Sequence, residues 1–242
     1  DANMSFYLYR LIDYCNFIFV GQWAQLAPVG GHHFLDTVLS EDCIEHSLMF
    51  HRFCGGNRIV LTECKRCNAT LFDWYTSLAP NGSRHNQPLQ HVLDEARRFF
   101  NKTETPDWSL CIQHELRKKI NRQRNLALKT EDAIFVKTPT MKIANAPQDF
   151  YLYPGQILMA HLQHCKKGVK NGGMFYTVSQ IDEDHVVFEG DLILPLDFVA
   201  KYMRLSHCLT ISSSQGRTLE GIVEIFTKHK RFIMKHLMIC LS

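Results

Sequence analysis

Residues 108–125 read WSLCIQHELRKKINRQRN. WSLCIQ (108–113) is the short apolar run of a strand, and from His114 the chain turns helical and strongly basic, through Arg117, Lys118, Lys119, Arg122 and Arg124. A strand that feeds directly into a helix is half of a βαβ unit, so this stretch sets the fold class. Working outward, LQHVLDEARRFF (89–100) is an amphipathic helix, and ATLFDWYTSL (69–78) is helical, with the turn residues of PNGSRHNQP (80–88) between them. RIVLTE (58–63) and NFIFVG (16–21) read as buried strands, SFYLYRLIDY (5–14) as a helix, and AIFVKTP (133–139) as the strand that closes the region. Strands alternating with helices of about ten residues predict an α/β fold with a parallel sheet.

The pattern changes near residue 147. GQILMAH, NGGMFYTVSQI, DHVVFEG and DLILPL are short strands divided by Gly, Asn and Asp turns, which predicts a small β-barrel inserted over 147–200, without a good helix. MRLSHCLTISSSQG then returns to strand followed by loop, and FIMKHLMICLS is expected as a last apolar strand.

A chain of 242 residues, 45% hydrophobic and 21% charged, has ordinary globular composition. No run approaches the roughly 18 apolar residues of a membrane span, and DANMSFYLYR lacks the basic and apolar segments of a signal peptide. Nine Cys, an odd number in irregular spacing, fit a reduced intracellular compartment better than a secreted disulfide scaffold. The Asn-Gly-Ser (81–83) and Asn-Lys-Thr (101–103) acceptor patterns therefore carry no expectation of glycosylation. A net charge of +3 is only weakly basic, so the concentration of cations from His114 onward says more than the total.

The order of several short motifs resembles superfamily-one helicases. FIFVGQWAQLAPVG (17–30) is similar to motif III, a strand ending in Gly-Asp-x-x-Gln-Leu-x-Pro; LTECKRCN (61–68) resembles motif IV; LTISSSQGRTLEG (209–221) resembles motif V; HLMICLS (236–242) resembles the opening of motif VI; and DANM resembles the residues after the Walker B Asp. VKNGGMFYTV (169–178) is similar to the SH3-like insertion of the RecD-type 5′→3′ enzymes. The resemblance implies a fragment of an ATP-dependent DNA helicase. Residues 1–35 would be the tail of a first RecA-like domain, 36–146 the first part of a second, 147–200 the SH3-like insertion, and 201–242 the rest of the second. Both ends are expected to be cuts within a longer parent chain.

The same resemblance implies site residues. Asp1 would orient the attacking water, Gln25 would meet the γ-phosphate or that water, and Arg66 would act as an arginine finger. Gln215, Gly216 and Glu220 would bind nucleotide, with ATP and Mg²⁺ as cofactors. Thr210, Ser212 and Ser213 would offer hydroxyls to the phosphates of single-stranded DNA. His114, Lys118 and Lys119 flank the expected strand path, and Trp23, beside Gln25 in a loop, is a stacking candidate, whereas Trp74 and Trp108 read as core. The implied setting is intracellular, the nucleus or another site of DNA replication, with no membrane role.

The sequence departs from the family pattern in places. Gln22 stands where motif III has Asp, and Ser212 and Ser213 replace His and Lys. No G-x-x-x-x-G-K-[ST] phosphate loop occurs in these residues, so this stretch alone is expected not to hydrolyse ATP. Two alternatives remain open. One is a degenerate motor domain that binds nucleic acid or a partner without turnover. The other is a zinc-stabilised module built on His51, Cys54, Cys64 and Cys67, whose paired spacing suits a tetrahedral site. His161, His164 and Cys165 form a weaker cluster.

Overall fold

The computed structural model describes residues 14, 51–52, 55, 57, 59, 67–79, 82–140, 146–162, 164–170 and 173–241. They fall into two units, residues 1–87 with 237–242, and residues 88–236. The expected helix at 5–14 and the strands at 16–21 and 58–63 lie almost wholly outside the described residues.

In the first unit, helix α1 (Ala69–Thr76) starts where Asn68 Oδ1 accepts the Leu71 N–H at 2.8 Å, satisfying one of the amides that a helix start leaves open. Trp74 and Leu78 are buried, as expected for Trp74. The following turn folds back on the helix end: Arg84 Nη1 donates to Ser77 Oγ at 3.0 Å and its guanidinium lies 4.9 Å from the Trp74 ring centroid. Gly82 is required there, because a Cβ would fall 2.3 Å from the Ser77 carbonyl oxygen.

The second unit runs in chain order through α2 (Leu89–Phe99), β1 (Trp108–Cys111), α3 (His114–Leu128), β2 (Ile134–Val136), β3 (Phe150–Leu152), β4 (Ile157–Ala160), β5 (Phe175–Ile181), β6 (His185–Phe188), β7 (Leu192–Pro195), α4 (Leu196–Tyr202), β8 (Met203–Leu205), β9 (Cys208–Thr210), α5 (Ile211–Ser214) and β10 (Val223–Ile225). Helix α6 (Met234–Leu241) follows. Strands β10, β1 and β9 form a parallel sheet in that order, with Cys111 opposite Thr210 and Trp108 opposite Val223. The α/β expectation therefore holds, and it rests on the strand-to-helix step that begins at Trp108.

The β-rich region is a five-stranded antiparallel sheet in the order β7-β6-β5-β4-β8. It packs with β2, β3 and α4 around Phe150, Leu152, Leu158, Val178, Phe188, Leu194, Val199 and Met203, all nearly fully buried. Gly190 and Asp191 both take positive φ (79° and 61°) in the β6–β7 turn, which matches the twist of an antiparallel hairpin.

Four expectations change. Among the described residues the sheet ends at β7 and β8 without pairing them, so the region is an open sheet and not a closed barrel. DLILPL is a strand over Leu192–Pro195, as expected, but a helix follows it where none was expected. After Pro195 the chain turns into α4, whose first turn is held by the Phe198 N–H donating to Asp197 Oδ1 at 2.7 Å. AIFVKTP does not close the parallel sheet, because β2 pairs antiparallel with β3. Within FIMKHLMICLS, Met234–Leu241 forms helix α6 instead of a strand, with Leu237, Met238 and Ile239 buried. A continuous apolar run has no period to separate helix from strand, and Leu, Met and Lys favour the helix.

Candidate nucleic-acid interface

Helix α3 organises the second unit through a polar stripe spaced by one turn. Arg117, Asn121 and Asn125 are each at most 2% exposed, although all three are hydrophilic side chains in a strongly basic helix. Asn121 Nδ2 donates to the Cys208 carbonyl at 2.9 Å while its Oδ1 accepts the Cys208 N–H at 2.8 Å. Asn125 Nδ2 donates to the Tyr151 carbonyl at 2.7 Å, and its Oδ1 accepts the Tyr151 N–H at 2.8 Å. Each amide acts as one more strand, closing the open edge of β9 in one case and of β3 in the other. Arg117 Nη2 donates to the Ala146 carbonyl at 3.4 Å.

The outer side of the same helix is different. Lys118, Lys119 and Arg122 line a cavity of about 600 Å³ together with Glu115, Phe135 and Tyr151. Phe135 is 57% exposed and its ring lies 5.4 Å from that of Tyr151. A basic helix face beside an exposed aromatic ring, here Phe135 against the half-buried Tyr151, is the combination that holds a sugar-phosphate backbone while stacking a base. Lys118 and Lys119 were expected on sequence grounds; Phe135 was hidden inside what reads as an ordinary strand.

The carboxyl edge of the parallel sheet gathers the other expected residues. His114 opens α3 just beyond β1, and Thr210 ends the neighbouring strand β9. Thr210 is buried and its Oγ1 is 2.7 Å from Ser213 Oγ, while Ser212 is exposed. Gln215 is half-buried, and Gly216 takes φ +73° with open space where a Cβ would stand. Glu220 is not with them. The loop has by then crossed to the amino edge, where the Glu220 carbonyl accepts from Trp108 Nε1 at 3.0 Å. Trp108 is half-buried, its ring 5.0 Å from Phe175. Asp1, Trp23, Gln25 and Arg66 lie outside the described residues, as do Cys54 and Cys64. His51 and Cys67 are described, and no group of metal-ligating side chains occurs among the described residues. His164 and Cys165 are exposed.

Sequence reading missed Arg217, which ties the loop after β9 to the start of β5. Its Nε donates to the Ser213 carbonyl, its Nη1 donates to the Gly173 carbonyl, and its guanidinium carbon sits 5.5 Å from the Phe175 centroid. Burial pushes the Arg217 guanidinium below its ordinary range, and it does the same to the His114 imidazole, with Arg117, Arg204 and Lys118 adding to the effect and Glu115 opposing it. Cys111 and Cys208 meet at 3.7 Å between adjacent strands, fully buried, as small apolar side chains would be.

The second unit thus joins a parallel sheet, with Thr210 and the loop after it at its carboxyl edge, to an antiparallel sheet. The sequence matches no family model and no curated protein. Among solved structures it is similar to Pif1 helicases. The Pif1 helicase from Candida albicans aligns with a TM-score of 0.55 and 16% identity over 91% of this chain and 60% of that one. Bacteroides Pif1 bound to single-stranded DNA aligns at 0.51 with 17% identity, over 74% and 47%. A structure of two coordinating Pif1 helicases at forked double-stranded DNA gives 0.51 and 16%, over 74% and 46%. This chain spans about half the length of those structures, and at such identities the likeness concerns the fold.

Proposed function

We propose that this chain is part of an ATP-dependent superfamily-one DNA helicase that moves 5′→3′ along a single strand, in replication, repair or recombination inside the cell. The observation that carries the reading is the likeness to Candida albicans Pif1 over 91% of the chain, in a molecule whose α3 presents cations beside Phe135. Two resemblances in the sequence, motif III and motif V, support the same class. In this reading the five-stranded sheet is the counterpart of the SH3-like insertion, and the parallel sheet belongs to the second RecA-like domain. The strand would run along Lys118, Lys119 and Arg122, with a base on Phe135. Thr210, Ser212 and Ser213 would take phosphates at the sheet edge.

The open side of Gly216 fits close approach of a nucleotide, with Gln215 beside it. Bound with Mg²⁺, ATP would supply the phosphoryl transfer that drives stepping. Asp1, Gln25 and Arg66 would orient water and offset charge at that site. Glu220, at the opposite edge of the sheet, is left without a role there.

The test is binding of a fluorescent thymidine oligonucleotide to the full chain as salt is raised. With three phosphates held, affinity should fall roughly 20-fold between about 50 and 200 mM salt, following a slope of about −0.7 per phosphate. Phe135→Ala should cost about tenfold more at every salt concentration without changing the slope, because stacking carries no charge. Binding that ignores both salt and Phe135 would remove α3 as the strand path.

A further inference from the structure

A buried charge of the second unit, Arg204, has no acidic partner among the described residues. Arg204, in β8, is 5% exposed, and neither its Nε nor its Nη1 finds a hydrogen-bond acceptor. Its remaining nitrogen, Nη2, lies 3.4 Å from Met159 Sδ, its cross-strand neighbour and a poor acceptor. The surroundings add positive charge. Arg117, 2% exposed, and Arg217 both act on Arg204 through space, and the His114 and His161 imidazoles feel Arg204 and Arg117 in turn. Met159 Cε and Arg217 Nη2 both stand within 2.4 Å of where a Cβ on Gly173 would lie, so that glycine keeps the two sides in contact. His114 Nδ1 is a further buried nitrogen without a partner. The Glu115 carboxylate acts on Arg117 and His114, and not on Arg204.

An unpaired buried guanidinium costs several kcal/mol, and two further arginines beside it raise that cost. The protein lowers it in part by weakening the guanidinium itself: burial, then Arg117 and Arg217, bring Arg204 down to about 9. A chain would not keep such an arrangement for packing alone, since a Met or Leu would fill the space without the penalty. What the arrangement suits is a tetrahedral anion, whose oxygens can take the fork of one arginine while facing two more.

We propose that Arg204, with Arg117, Arg217 and His114 around it, forms a binding site for a phosphate group. The group comes either from a nucleic-acid backbone or from a free phosphate-type ligand. The first source rests on the helicase reading above; the site itself does not.

Inorganic phosphate is added to the full chain at constant ionic strength, and the thermal melt is followed by circular dichroism. Wild type should gain melting temperature in a saturable way. Arg204→Met should melt at least as high as wild type in chloride alone and gain nothing from phosphate. Arg204→Lys, which keeps the charge and loses the fork, should show a weakened gain. Equal gains in all three proteins would overturn the site, because the effect would then be one of bulk salt. So would a large loss of melting temperature in Arg204→Met without phosphate, which would mean that the guanidinium is already satisfied within the chain. A thymidine oligonucleotide separates the sources. If Arg204→Met binds it about tenfold more weakly and the oligonucleotide cancels the gain from phosphate, the ligand is a backbone phosphate. If oligonucleotide affinity is unchanged while the phosphate gain is lost, the ligand is a free anion; the site then stands, and the helicase reading is judged on Phe135 alone.

Discussion

Asn121→Ala should destabilise the protein by about 3 kcal/mol, because it orphans both polar groups of one buried peptide. In β9 the Cys208 N–H and carbonyl point away from β1, and Asn121 takes both, at 2.8 and 2.9 Å, while itself 1% exposed. Each lost partner leaves a desolvated group worth about 1–3 kcal/mol. Asn121→Asp is the informative companion: its carboxylate still accepts the Cys208 N–H but turns an anion toward the Cys208 carbonyl, so it should be no more stable than the alanine variant. Arg122→Ala, on the exposed side of the same helix, should change stability by less than about 0.5 kcal/mol. Urea unfolding gives the free energies, and amide exchange at Cys208 reports the strand edge directly. A loss below about 1 kcal/mol, with the Cys208 amide still protected, would show that the clamp is dispensable.

Acidification should weaken the fold in a window set by histidine and not by carboxylates. Burial, helped by the charge of Arg124, brings His207 down to about 4 from an ordinary value of 6.5. Its Nε2 is buried without a hydrogen-bond partner among the described residues. A lowered histidine is neutral in the folded chain and charged in the unfolded one between those two values, so the unfolded state binds more protons and stability falls as pH falls. Nothing is lost above about pH 6.5; at pH 5 the cost is about 2 kcal/mol, and it reaches roughly 3 kcal/mol by pH 4. His114, His161 and His236 are shifted in the same direction by burial and add to the slope. Asp94, held below its ordinary range by Gln90 first and then Arg97, acts only under the carboxylate range and so outside this window. Melting temperature measured between pH 7 and pH 4 should therefore drop, and His207→Phe should flatten the curve. Identical pH profiles for the two proteins would place the acid sensitivity elsewhere.

The two stability arguments and the phosphate site share a cause. The second unit buries polar side chains at the junctions between its sheets, and sequence patterning cannot see junctions. HELRKKINRQRN was legible as a basic helix following a strand, which was enough to set the parallel α/β layer. Which of its polar residues face inward was not legible. Arg117, Asn121 and Asn125 are hydrophilic by type, and it is the unfilled edges of β3 and β9 that make the two asparagines core. Arg204 was equally silent, sitting in an apolar strand as a single charge.

The sequence by itself determined the local alternation of strand and helix, the basic run, and the order of motifs that resembles a helicase. Those depend on propensities and spacings within a few residues. Tertiary structure alone decided that the β-rich region is an open sheet, that 234–241 is helical, and that Glu220 lies at the opposite edge from Thr210. It alone brought Phe135 beside Lys118 and Arg204 beside Arg117. Those outcomes turn on which strand edges are left open and which charges are left buried, quantities that exist only once distant segments have met.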